Sequence, residues 1–99
     1  MTTPLSRRLE QYTLRHPQEV LVVKAEIDGE PEEILIFRGV SSSLMRPTAF
    51  DPDVPVLPET AAIASLERYA APYNPAAPQV LEADIAPAEM LARLTALGL

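Results

Sequence analysis

The sequence predicts an α+β domain, with an N-terminal and a C-terminal helix flanking a small antiparallel sheet of about three strands. Three observations predict it. A β-branched run, Val20 to Ile27, leads directly into Asp28-Gly29, a pair suited to a tight hairpin turn. Proline-led segments with apolar residues at helical spacing stand at both ends of the chain. Length bounds the rest: 99 residues make one domain over residues 1–99, large enough for one modest core and too small for two.

The first helix is predicted from about Pro4 to Arg15. Thr3 suits the cap, and Pro4 suits the first helical position, where a missing N–H costs nothing. Leu5, Leu9 and Tyr12 form one apolar stripe, while Arg7, Gln11 and Arg15 fall on another face, read as solvated. Pro17 ends the helix, because the residue before a proline is pushed out of the helical region.

The hairpin follows, with a return strand from Glu30 to about Val40. A two-residue turn at Asp28 and Gly29 sets Ile27 against Glu30, Lys24 against Glu33, Val23 against Ile34 and Leu21 against Ile36. A four-residue loop would instead oppose Glu26 and Glu33, a destabilising like-charge pair. The shorter turn also leaves Pro31 where no N–H is needed. Both faces are apolar near the middle: Leu21, Val23, Ile34 and Ile36 on one, Val20, Val22, Leu35 and Phe37 on the other. A sheet with one wet side would alternate more cleanly. The hairpin is thus expected to lie between helices, to curl into a small SH3-like barrel (the alternative fold), or to be covered by a partner.

Beyond Val40 the chain becomes hydroxyl- and proline-rich. Pro52, Pro55 and Pro58 fall every third residue, as do Pro72, Pro75 and Pro78, the period of polyproline II. These are read as two stiffened surface connections. Between them, residues 60–69 carry conflicting signals. Alanines and the spacing of Ile63, Leu66 and Ala70 favour a helix, whereas a third strand would complete the minimal sheet that a lone hairpin needs. The last segment is predicted as a helix from about Pro87 to Leu97, with Pro87 at its first position, Glu89 in its first turn and Ala86 as a poor cap.

Composition excludes several chemistries. The chain has no cysteine, one histidine and no tryptophan, which removes thiolate sites, disulfides and histidine-pair metal centres. No cofactor and no metal are expected. His16, at a helix end before Pro17, has no visible nucleophile or orienting carboxylate, so a catalytic triad is not expected. The acidic turn around Asp28-Gly29 fails as a calcium loop, since Lys24 and Leu35 would fall at ligand positions. The formal charge of −6 is uneven: +2 over residues 1–24, −6 over 25–60 and −2 over 61–99. Such a chain is repelled by phosphate backbones at long range, which disfavours nucleic acid as a partner. No apolar run is long enough for a membrane span.

The least generic stretch runs from Ser41 to Asp53. Arg38, Ser41, Ser42, Ser43, Arg46 and Thr48 bring together hydroxyl and guanidinium donors of the kind that hold a carboxylate or phosphate. Met45 and Phe50 add contact surface, and Asp51 and Asp53 are candidate partners for Arg46. Gly39 is the only glycine near, and no phosphate-loop pattern accompanies it.

Phe37-Arg38-Gly39, Ser41-Ser42-Ser43-Leu44, Arg46-Pro47-Thr48, Asp51-Pro52-Asp53 and Val56-Leu57-Pro58 together resemble a family of small uncharacterised proteins of cyanobacteria and chloroplasts. Leu66-Glu67-Arg68 and Pro72-Tyr73-Asn74-Pro75 extend the resemblance, which covers roughly residues 8–95. It implies a soluble, cytoplasmic protein of a photosynthetic cell and no assigned activity. It also implies a strand at residues 61–66, where this chain departs by carrying alanines. The expected function is a non-catalytic protein–protein interaction or assembly module, with a protein partner or a second copy as ligand. Binding of a small anion or nucleic-acid segment through Ser41–Thr48 is the alternative. The working surface is expected on Ser41–Asp53, anchored by Arg46.

Overall fold

The computed structural model describes residues 4–44, 57–58 and 61–99. The elements are α1 (Leu5–Arg15), β1 (Glu19–Ile27), β2 (Glu30–Phe37), β3 (Val40–Ser43), β4 (Ala62–Ala70), β5 (Val80–Ile85) and α2 (Pro87–Ala96). They form two layers. One is an antiparallel sheet in the order β3-β2-β1-β4-β5, and the other is the pair of helices on one of its faces.

Both helices form where local chemistry directs. Pro4 takes the cap position of α1, so the helix starts at Leu5, one residue later than expected, and Pro4 makes no side-chain cap bond. Thr3 lies outside the described residues. In α2, Pro87 opens the helix after Ala86, which also makes no side-chain cap bond. Leu9 and Tyr12 from α1 and Met90 and Leu94 from α2 bury against Leu21, Val23, Ile34, Ile36, Leu66 and Ile85 of the sheet. Leu57, described on its own with Pro58, joins the same core.

The hairpin register is as predicted. Lys24 faces Glu33, Val23 faces Ile34, Leu21 faces Ile36 and Glu26 faces Pro31. Asp28 and Gly29 take φ of 53° and 80°, the left-handed pair that a type I′ turn requires.

Two strands escaped the sequence reading, so the sheet has five strands rather than about three. The return strand stops at Phe37, not Val40, and a second tight turn at Arg38 and Gly39, with φ of 48° and 82°, starts β3. Its Val-Ser-Ser-Ser sequence lacks apolar alternation because hydroxyls occupy its helix-side positions. The sequence predicts a connection after the second set of prolines, yet Val80–Ile85 forms β5. Register shifts at both ends of its pairing with β4 erase the period-2 signal. The SH3-like barrel is also corrected, since β3 and β5 are the two ends of the strand order and do not pair with each other.

Residues 62–70 are a strand despite their alanines. They pair along the whole length of β1, and those ladder bonds outweigh a helix preference of a few tenths of a kcal/mol per residue. Pro72, Pro75 and Pro78 do not align on one extended edge: Asn74 Oδ1 accepts the Ala76 N–H at 3.0 Å, and the Asn74 carbonyl accepts Ala77 N–H at 3.1 Å, turning the chain between them. Pro52 and Pro55 lie outside the described residues.

Candidate functional site

Strand alternation gives the sheet a second face, and among the described residues no helix residue joins the cluster on it. Val20, Val22 and Tyr69 are buried there, packed by Leu35, Phe37, Ala71 and Tyr73. The ladder registers arrange this face in rows. Val40 pairs with Phe37 and Tyr69 pairs with both Val20 and Val80, while Phe37 packs against the Val20 cluster. The result is an apolar row, Val40–Phe37–Val20–Tyr69–Val80, that crosses all five strands over roughly 19 Å. Its ends are the most open, with Val40 67% and Val80 53% exposed.

Polarity rises away from that row. The next one runs Ser42, Leu35, Val22 and Glu67, and beyond it Glu33 faces Lys24 and Lys24 faces Ser65. Lys24 Nζ stands 3.6 Å from Glu67 Oε1, which also accepts the Tyr69 hydroxyl at 2.8 Å. Burial, then this bond to a carboxylate, pushes the Tyr69 hydroxyl up to about 12.

The sequence-predicted residues divide. Ser41, Ser42 and Ser43 belong to β3, not to a loop, so their hydroxyls point alternately and do not converge. Ser41 Oγ donates to Glu10 Oε2 at 2.8 Å and Ser43 Oγ donates to the buried Glu32 at 2.7 Å. Those two hydroxyls therefore serve internal carboxylates, and only Ser42 shares the helix-free face. Arg38 sits in the β2–β3 turn, with its Nε donating to the Pro17 carbonyl at 3.3 Å and its guanidinium 4.9 Å from the Phe37 ring centre. Met45, Arg46, Thr48, Phe50, Asp51 and Asp53 lie outside the described residues.

The basic face of α1 is partly consumed inside the molecule. Arg8 Nε donates to the Leu99 carbonyl at 2.8 Å and Arg15 to the Leu97 carbonyl at 2.9 Å, so both hold the end of α2. His16 is structural in the same sense: its ring stacks on Tyr12 at 4.2 Å and its Nδ1 donates to the Tyr12 carbonyl at 3.0 Å. Among the described residues, no helix is long and apolar enough to cross a membrane.

Sequence reasoning identified Val20, Val22, Leu35 and Phe37 as sharing a face. It missed Tyr69, Val40 and Val80, which only the pairings of β3, β4 and β5 bring there, and Tyr73, whose ring packs edge-on against Tyr69. Compared with known proteins, residues 6–94 match a family described as a domain of unknown function (DUF7734). No curated protein and no solved structure matches.

Proposed function

The chain belongs to the DUF7734 family of domains of unknown function, and from its geometry we propose that it is a non-catalytic protein-interaction module. The working surface is the helix-free face of the sheet. One observation carries this reading: among the described residues an apolar row spans every strand on a face that no helix covers, its centre closed over by its own side chains and its two ends, Val40 and Val80, exposed. The exposed Val40 and Val80, with the half-buried Phe37 and Tyr73, are the apolar groups that a partner would meet on this face. Tyr69, Tyr73 and Phe37 add the aromatic character that interface centres favour.

Protein is favoured over nucleic acid by the electrostatics. Arg8 and Arg15 are engaged with backbone carbonyls, and the Ser41 and Ser43 hydroxyls with carboxylates, within a chain of formal charge −6. Ser42 of β3 shares this face, and the rest of the Ser41–Asp53 segment, with Arg46, belongs to the same reading on its sequence alone. The resemblance to proteins of cyanobacteria and chloroplasts supports a cytoplasmic setting in a photosynthetic cell.

A photo-crosslinking residue at position 40 or 80, with position 92 on the exposed side of α2 as control, tests the surface. A protein captured from 40 and 80 but not from 92, and then bound by the purified chain, is the expected result. The double variant Val40→Glu, Val80→Glu should lose that binding while its stability stays within about 0.5 kcal/mol. Unchanged binding in the double variant would overturn the assignment.

A further inference from the structure

One corner of the helix-free face carries a feature that the apolar row does not explain. Pro17, Gln18, Phe37, Arg38, Ala70, Ala71 and Pro72 line a hollow of about 370 Å³. That is near the small end of the roughly 300–1,000 Å³ typical of ligand sites. Phe37 belongs both to this hollow and to the apolar row, so the two are continuous. We propose that the hollow receives an acidic side chain of the protein partner, with its carboxylate on the Arg38 guanidinium and apolar neighbouring groups against Phe37 and Pro72. The inference rests on the interaction-module reading and names the chemistry of what docks.

Three independent observations support it. The first is charge. Arg68 and Arg93 are paired with carboxylates, and Arg8 and Arg15 with carbonyls. Arg38 uses only Nε, so its two terminal amino groups have no partner among the described residues. Arg7, exposed on α1, also has no carboxylate partner among the described residues, but of the described arginines only Arg38 lines the hollow, so its terminal amino groups are the cationic donors available there to a carboxylate from outside.

The second is preorganisation. The Nε bond to the Pro17 carbonyl at 3.3 Å and the Phe37 ring at 4.9 Å favour one placement of this exposed guanidinium, which lowers the entropy lost on binding. The third is the backbone. Arg38 takes φ of 48°, in a turn position where asparagine, aspartate or glycine is favoured. A residue that strains the turn points to a use for its side chain.

The same geometry selects the anion. One guanidinium and the Gln18 amide supply donors for a singly charged carboxylate. No lysine lines the hollow, and a phosphoryl dianion would meet a chain of formal charge −6 with one cation to hold it.

Nuclear magnetic resonance titration of the full chain with acetyl-Leu-Glu-amide tests this, against acetyl-Leu-Gln-amide, acetate and inorganic phosphate. The expected result is saturable shifts at Phe37, Arg38 Nε and Ala71 with the glutamyl peptide, and binding at least about tenfold weaker for the glutaminyl peptide and for acetate. Arg38→Asn is the informative variant, because asparagine suits the turn. It should abolish the response while thermal stability is kept or raised. Equal response to both peptides, persistence in Arg38→Asn, or no response up to about 20 mM, far weaker than the roughly 4 kcal/mol of a millimolar site, would overturn the proposal. Acetate binding as tightly as the peptide would show a free-anion site, and tighter phosphate a phosphoryl site. Either result also overturns it. Failure here with retained loss of partner binding in the Val40, Val80 double variant would leave the module reading standing.

Discussion

Arg93 on α2 holds both carboxylate oxygens of Glu82 on β5, through bonds of 2.7 and 2.6 Å. The ladder continues across the sheet. Arg68 on β4 donates to Glu82 at 3.0 Å and to Glu19 on β1 at 2.6 Å, and the Tyr12 hydroxyl of α1 donates to Glu19 at 3.1 Å. Five elements are thereby tied at the seam between the layers, where the apolar core ends and polar groups must find partners.

Acid should test this ladder first. The bonds from Arg93 and then Arg68 lower Glu82 from 4.5 to about 2. Its stabilising effect is complete above the unfolded value and is lost as pH falls from about 4.5 toward about 2. Thermal melts across that range should show the loss, reduced at high salt because the pair is partly exposed. Glu82→Gln should flatten this part of the profile, and an unchanged acid limb would show that the stabilisation lies elsewhere.

At alkaline pH the sign reverses. Tyr69 is raised from 10.0 to about 12, and burial also raises Tyr12. An unfolded chain loses these protons first, so stability should fall as pH rises from about 10 toward about 12. Ultraviolet titration should find a tyrosine ionising near pH 12 among the three in the chain, and that step should be lost in Tyr69→Phe while the raised Tyr12 remains.

Thr13 joins α1 to the β2–β3 turn. Its fully buried hydroxyl donates to the Glu10 carbonyl at 2.7 Å and accepts the Gly39 N–H at 2.9 Å. Thr13→Val keeps the shape but removes the acceptor, leaving a peptide N–H without its partner. A loss of about 1–3 kcal/mol in denaturant unfolding is expected, with most of it restored in Thr13→Ser.

Gly29 and Gly39 both need positive φ, yet they should respond differently to alanine. A Cβ at Gly29 meets nothing within 4 Å, so Gly29→Ala should cost about 1–2 kcal/mol from the backbone alone. At Gly39 a Cβ would lie 3.0 Å from the Leu14 side chain. Gly39→Ala should therefore destabilise more than Gly29→Ala, and equal melting points would contradict the close approach of α1 to the turn.

Much of the scaffold was legible one segment at a time. Asp28-Gly29 and the avoidance of a Glu26–Glu33 pair specified the hairpin register, and Pro17 and Pro87 marked where α1 ends and α2 begins. These are local properties: allowed φ, a missing N–H, and the period of apolar residues along one element.

Strand β3 was not legible, because Ser41 and Ser43 fill helix-side positions that are normally apolar and satisfy Glu10 and Glu32 instead. Strand β5 was hidden by its bulges, and β4, whose own residues read equally well as a helix, is expected as a strand from the family resemblance, as its ladder with β1 bears out. The candidate site depends on those three strands. Val40, Val20, Tyr69 and Val80 become one row only through pairings between residues as far apart as 20 and 69. The sequence by itself determined the helix limits, the first hairpin and the two apolar faces of that hairpin. Tertiary structure alone decided which face the helices cover and which residues widen the other, because a backbone hydrogen bond between distant segments leaves no periodic trace in either.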